Sequence, residues 1–456
     1  MTAEGTSVPA VGGKVPKARL LLFAFGDFAF NLYWQSIMLY LLFYYTEALA
    51  LPMTTAAAIY TAASVWDGIA NFVAGAITDR RRPKRGYGPV LVIGSVPLGL
   101  ACILTYSPPL APGFLGLAGV TAAHFLFRTA YAALNVPYLA MGARISSDSH
   151  DRAFVAGARM LFGTLAWVAV ARGTVPLGAW LAGDAVPAQA YLGAALAFAV
   201  VATVILVLVG TFCREEAITP AVAPPPSTRA ALASLAANRA FVTLNLAMMT
   251  AIVAITVLNK SVLYYFKYFI GDAAAGQSAL AWMGLVSSMA VPLWMLLQHR
   301  TGTRTLWFLA AALCMAGLAL FASMHIGRAA AMQAWLVAMQ AAIVGLHFAF
   351  WAMLPNTIEY GERATGLRVE GAVFGVAALL QRVAIGIATA ILGMGFDSAG
   401  YVANVAQSPA TLTAMRWTIA FAPLAFLALS CVLMLLNPLG KGTHARIVRD
   451  LSGGGG

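Results

Sequence analysis

VWDGIANFVAGAITDRRRPKRGYG, residues 65–88, opens apolar and closes basic. Its first half would sit in hydrocarbon, yet Asp67 stands there among Val, Ile, Phe and Ala. A lone carboxylate at the centre of a bilayer costs ~2.5–3.5 kcal/mol on insertion scales, so a partner or a water-filled cavity has to offset it. The second half is a run of arginine and lysine of the kind that stays on one side of a membrane. Together they predict a membrane-spanning helix that carries a buried acid and ends in a basic loop.

The rest of the chain has the same character. It has 456 residues, of which 61% are hydrophobic and 10% charged, and its mean hydropathy is +0.82. Apolar runs of about 20 residues recur along it, long enough to cross a ~30 Å hydrocarbon core as helices. The short alternating segments of a β-barrel are missing from the sequence. Twelve spans are read, at 20–46, 54–78, 89–107, 114–143, 153–181, 188–213, 237–270, 278–298, 306–324, 331–356, 370–395 and 410–436. The fold class is therefore an all-α membrane protein. The longest polar interruption, REEAITPAVAPPPSTRAALASLAANR (214–239), divides the spans six and six. The expected organisation is a cytoplasmic tail (1–19), an N-terminal six-helix half (20–213), a cytoplasmic linker (214–236), a C-terminal half (237–436) and a second cytoplasmic tail (437–456).

The net charge of +12 follows this topology. With both termini inside, 20 of the 28 Lys and Arg residues fall on the inner side, while Lys267, Arg328 and Arg416 lie toward the outer one. That bias sets the orientation by the positive-inside rule and removes the need for a nucleic-acid partner. A bacterial-type cytoplasmic (inner) membrane and a monomer are expected. The four cysteines form no CxxC, and no His, Cys or carboxylate cluster has metal-ligand spacing. No nucleophile elbow or phosphate loop occurs in a suitable context, so neither an enzyme nor a resident cofactor is expected.

Seven separated segments carry a resemblance: FGDFAFNLYW (25–34), YYTEALALP (44–52), VWDGIANFVAG (65–75), LNVPYLAMGA (134–143), ARMLF (158–162), YYFKYFIGD (264–272) and PNTIEYGERATGLRVEGAVFGVAALLQR (355–382). They resemble the glycoside-pentoside-hexuronide:cation symporters, the melibiose permease-like branch of the major facilitator superfamily. GAITDRRRPKRGYG is similar to the superfamily's loop signature through Gly75, Asp79, Arg80, Arg85 and Gly86, and LLQHRTGTR (296–304) is a degenerate second copy. The resemblance implies two six-helix halves with the solute between them near the bilayer midplane. It implies a secondary transporter of a small sugar-like solute, driven by Na⁺ or H⁺, with Asp79, Arg80 and Arg85 gating the conformational change.

The residues inside the spans give this content. Two acids, Asp27 and Asp67, and five bases, Arg128, Arg159, Arg172, Lys260 and Arg382, are functional candidates by their depth. Asp27 matches the family's sugar-binding Asp, with Asn31 along the same run, and Arg159 matches its sugar-site Arg. Asp67 matches the first of two cation-binding carboxylates, and Arg382 the midmembrane Lys, so an Asp67 to Arg382 pair is expected. The second carboxylate is replaced by Asn71 and the helix-four acid by Asn135. Asp67 and Asn71, at i and i+4, still share a face. One carboxylate in place of three weakens a Na⁺ site, which favours H⁺ coupling, with an uncoupled facilitator left open; Asp67 is a metal ligand only if Na⁺ is the ion. Leu139 and His347 replace the family's two tryptophans, against a plain galactoside. Arg128 and Lys260 add positive charge, and five bases against two acids suit an anionic solute such as a hexuronide. The alternatives are that Arg128 and Arg172 snorkel outward and Lys260 is neutral or bonds a carbonyl, or that the solute is lipid-like or another non-sugar organic molecule. The expected substrate set is thus Asp27, Asn31, Arg128, Asn135, Arg159, Lys260 and His347. If the Asp67 site descends from a sodium site, Asn71→Asp creates or strengthens Na⁺-dependent uptake in proteoliposomes; uptake indifferent to Na⁺ in that variant argues against the descent.

Overall fold

A computed structural model describes residues 15–80, 86–142, 144–146, 148–183, 187–213, 227–324 and 326–440. The chain runs through α1 (Lys17–Ser36), α2 (Met53–Arg80), α3 (Gly88–Thr105), α4 (Gly113–Gly142), α5 (Ser149–Ala182) and α6 (Pro187–Phe212). A short α7 (Thr228–Ala237) precedes α8 (Arg239–Tyr265), α9 (Ala273–Thr301), α10 (Thr303–Ser323) and α11 (Ala329–Met353); a short α12 (Asn356–Thr365) leads to α13 (Glu370–Ser398) and α14 (Pro409–Leu435). α1 continues through π-helical turns at Ile37–Leu41 and Tyr44–Ala48, and α8 through one at Phe266–Ile270. No strand occurs among the described residues.

Nine of these helices, among the described residues, are long and apolar enough to cross a membrane by length and composition. The long helices outside that set are α1, α2 and α4, which carry Asp27 and Asn31, Asp67 and Asn71, and His124 and Arg128. Of these polar side chains the bundle buries Asp67, His124 and Arg128 and half-buries Asp27, Asn31 and Asn71. α7 and α12 were not read from the sequence, and both are short helices near the ends of longer ones. They pack together, with Ser234 Oγ 2.8 Å from Thr365 Oγ1. Asn238 then caps α8 through the Phe241 N–H at 2.9 Å and donates to Thr357 O at 2.7 Å. α5 starts at an Asp148 cap that accepts from the Asp151 and His150 N–H groups, and these bonds hold that carboxyl below the usual carboxylate range.

α1 to α6 pack on one another, as do α8 to α14, and the two sets meet chiefly where α2 lies along α13 and α5 along α9. We call the end where α1 begins and α2 ends the basic face, after the Arg and Lys run at 80–85, and the opposite end the far face. The α2 to α13 contact is made of small residues. A Cβ on Gly393 would fall 2.3 Å from Ala57 Cβ, and Thr61 Oγ1 donates to Gly386 O at 2.9 Å. A Cβ on Gly68 would fall 2.4 Å from Leu379 Cδ1. Nearer the basic face, Gly75 of α2 and Gly371 and Gly375 of α13 have no described neighbour within 4 Å of a Cβ position. The two helices therefore touch from the far face to mid-depth and part below it. Gly393→Val is expected to destabilise the protein by ~1–3 kcal/mol, read as a lower unfolding temperature in detergent, whereas Gly375→Val leaves it near wild type. Equal effects of the two would show that the contact is not tight.

Candidate functional site

Successive helical turns of α1 place Asp27, Asn31, Trp34 and Gln35 on one face. Gly26 lets Tyr138 of α4 lie against the helix: a Cβ there would sit 2.8 Å from the Tyr138 ring. Across from Asp27, Arg159 of α5 donates to Asp27 Oδ1 from Nε at 3.1 Å and Nη2 at 2.8 Å. Asn31 Nδ2 donates to the other oxygen at 3.1 Å, and Gln35 Nε2 extends the chain to Asn31 Oδ1 at 3.3 Å. Gly163, one turn from Arg159, leaves room for this approach, since its Cβ position is 3.4 Å from both Asn31 Nδ2 and Asp27 Oδ2. The pair remains reachable, with the Asp27 side chain 17% and that of Arg159 28% exposed.

A second cluster forms where α2, α4 and α13 converge. Asp67 is fully buried, and its Oδ2 lies 3.2 Å from Arg382 Nε and 3.5 Å from Arg128 Nη1. Asn71 donates to Oδ1 at 3.0 Å and to the Asp67 carbonyl at 2.7 Å, so it completes the shell that a second acid would have crowded. Arg128 is 1% exposed and also donates from Nε to His124 Nε2 at 3.2 Å. That nitrogen must accept, which leaves the proton on Nδ1, 3.2 Å from Tyr45 Oη. Lys260 of α8 places Nζ 3.6 Å from the Tyr60 ring centroid and makes no hydrogen bond among the described residues.

The far face is closed by a third group that the sequence reading missed. Glu47, on the second π-helical turn after α1, is ion-paired with Lys267 on the π turn after α8. Its carboxylate also accepts from Tyr268 Oη at 2.8 and 2.9 Å and from Tyr401 Oη, and its carbonyl accepts from Asn404 Nδ2 at 2.8 Å. Thr46 Oγ1 lies 2.8 Å from Tyr264 Oη beside it. Nothing in YYTEALALP marks Glu47, because an acid at a span end normally reaches water.

The other expected positions divide. Arg128 and Lys260, read as positive charge lining the solute path, are instead buried around Asp67 and Tyr60, because each finds aromatic faces there: Arg128 Cζ is 5.1 Å from the Trp34 centroid and 5.6 Å from that of Tyr60. Asn135 and His347 are half-buried, and His347 Nδ1 lies 3.4 Å from Ile343 O in its own helix. Arg172 donates to Ser278 of α9. The backbone of Asp79 and Arg80 ends α2, but their side chains, and Arg85, lie outside the described residues.

Residues 22–441 match the family model described as MFS/sugar transport protein. The chain belongs to this family. It is a membrane transporter of the major facilitator superfamily and not an enzyme. The chain is 23% identical over 444 residues to a glucuronide carrier protein homolog of Escherichia coli (strain K12), covering 94% of each. It is also 23% identical over 443 residues to an isoprimeverose transporter of Lactiplantibacillus pentosus, covering 96% of this chain and 91% of the relative. Among solved structures, a bacterial homolog to the human lysosomal transporter Spinster, inward-facing and unoccupied, superposes with a TM-score of 0.69 at 12% identity over 96% of this chain and 99% of that one, which is a likeness of fold.

In this MFS transporter the Glu47 cluster joins the two helix sets at the far face. Glu47→Gln removes the ion pair with Lys267 and is expected to open the far face, measured as several-fold faster modification by a thiol reagent of a cysteine placed at Thr46; an unchanged rate would mean that apolar packing alone closes that end.

Proposed function

We propose that the protein is a secondary active transporter that moves an acidic sugar derivative, such as a hexuronide, together with a proton, by alternating access. The observation that carries this is the Asp67 cluster: one carboxylate holds a guanidinium from each helix set, Arg128 from α4 and Arg382 from α13. A proton arriving at Asp67 removes the charge that both arginines share, so the two sets lose their midmembrane tie. A Na⁺ ion there would meet one carboxylate and two guanidiniums within 3.5 Å, an electrostatically poor site.

The solute reading rests on the other cluster and on charge. Asp27 can exchange its bonds from Arg159 and Asn31 for solute hydroxyls, two neighbouring hydroxyls suiting its two oxygens. Arg159 and the 23%-exposed Arg382 are then available to an acid group. The part-exposed bases, Arg159 and Arg382, outnumber the one part-exposed acid beside them, Asp27, so the surroundings favour an anion. The relatives include carriers named for a glucuronide and for isoprimeverose, the one acidic and the other neutral. Local charge supports the acidic choice. The Lys and Arg bias supports a cytoplasmic basic face by the positive-inside rule, and on that reading the parted ends of α2 and α13 open inward.

The test is uptake of labelled methyl β-D-glucuronide into proteoliposomes under an imposed pH gradient. The gradient should drive accumulation, and Asp67→Asn should cut it about 5- to 150-fold, the span of ordinary coupling free energies, while solute exchange persists. Uptake indifferent to the pH gradient would overturn proton symport, and dependence on a Na⁺ gradient would replace it with sodium symport.

A further inference from the structure

Trp34 lies two turns along α1 from Asp27, on the same face as Asn31. Its ring carries both of the arginines that end on Asp67. Arg382 Cζ is 3.7 Å from the indole centroid and Arg128 Cζ 5.1 Å. A guanidinium over an indole is the strongest of the common cation–π pairings, and Arg stacks flat on such a ring. The indole is itself wedged, tilted against Tyr131 at 5.8 Å, while Tyr131 meets Phe30 of α1 edge-on at 5.7 Å. The same helix thus holds the solute-side chain of Gln35, Asn31 and Asp27 and the plate on which the two guanidiniums rest.

We propose that Trp34 is the positioning residue that couples occupancy of the Asp27 site to Asp67. A solute that takes the Asp27 carboxylate from Arg159 and Asn31 shifts α1 at that level. The indole moves with the helix, and with it the angle at which Arg128 and Arg382 reach Asp67 Oδ2. The inference rests on the reading of Asp67 as the coupling group, and it makes Trp34 act through the arginines. Arg128 of α4 and Arg382 of α13 meet Asp67 directly; Tyr131 and His124 of α4 stand beside these arginines, and Tyr60 on α2, Lys260 of α8 and Tyr45 on the π turn lie behind Arg128.

The test follows Asp67 directly. Full-length protein in liposomes is treated with a hydrophobic carbodiimide, and modification of Asp67 is quantified by mass spectrometry with and without methyl β-D-glucuronide. In wild type the glucuronide should change the labelling rate by about threefold or more. Trp34→Leu should lose that dependence while keeping the glucuronide-induced thermal shift, and Trp34→Phe, which keeps a ring face, should retain most of it; Trp34→Met takes the place of Trp34→Leu if the latter does not fold. Solute dependence in the ring-less variant equal to wild type, or no dependence in wild type, overturns the proposal. Loss of the thermal shift also overturns it, since Trp34 would then be a solute contact. Solute-dependent labelling that needs Trp34, in a protein whose uptake ignores the pH gradient, would sink proton symport and leave the Trp34 coupling standing.

Discussion

Asp67 is buried at the level where α2, α4 and α13 meet, and one of its oxygens is shared by Arg382 and Arg128. It is the carboxylate that both arginines pair with at this depth. Breaking a buried pair by removing one partner typically costs about 3–5 kcal/mol, because a charge is left uncompensated. Here one carboxylate answers for two. The other packing features follow from that need: small residues along α2 and α13 bring the backbones close enough for Arg382 to reach across, and Asn71 takes the oxygen that the arginines leave.

The Asp27 pair is built on the opposite plan. It is one acid to one base, partly open, with a neutral Asn31 as the third member. Such a pair is held by less net energy, since both groups keep some access to water. A polyhydroxyl solute can replace its bonds one for one, whereas nothing of that kind can replace a second guanidinium at Asp67. Trp34 is the side chain that touches the buried arrangement from the helix that carries the open one.

Much of this was legible in the chain. Hydropathy located the long helices to within a few residues, and the i and i+4 spacing in VWDGIANFVAG put Asp67 with Asn71 on a common face. The expected contact of Asp67 with Arg382 is present in the structure, and Asp27 and Arg159, each matched to the solute site by the resemblance, also pair directly with one another. The partners of Arg128 were not legible, because a helical period gives the face of a residue and not the neighbour it meets; in the structure it turns to Asp67 and Trp34. Glu47 escaped notice for a different reason. The π turns at Ile37–Leu41 and Tyr44–Ala48 add residues to the helix, shift its phase, and swing a span-end acid inward to Lys267 and two tyrosines. Trp34 read as one more aromatic in an apolar run, since nothing in a sequence says which rings will carry cations.

The parting of α2 from α13 below Gly68 has a mechanical consequence. Two rods in contact over their upper halves and separated below turn about the last point of contact, and Asp67 is the residue next to it. A fulcrum moves least. The ends of the helices can sweep through large arcs while distances at Asp67 change by small amounts, so the ion pair would tolerate thermal rocking of the lever arms and give way only to a full swing. Placing the charge at the pivot makes it a threshold element, deaf to small fluctuations.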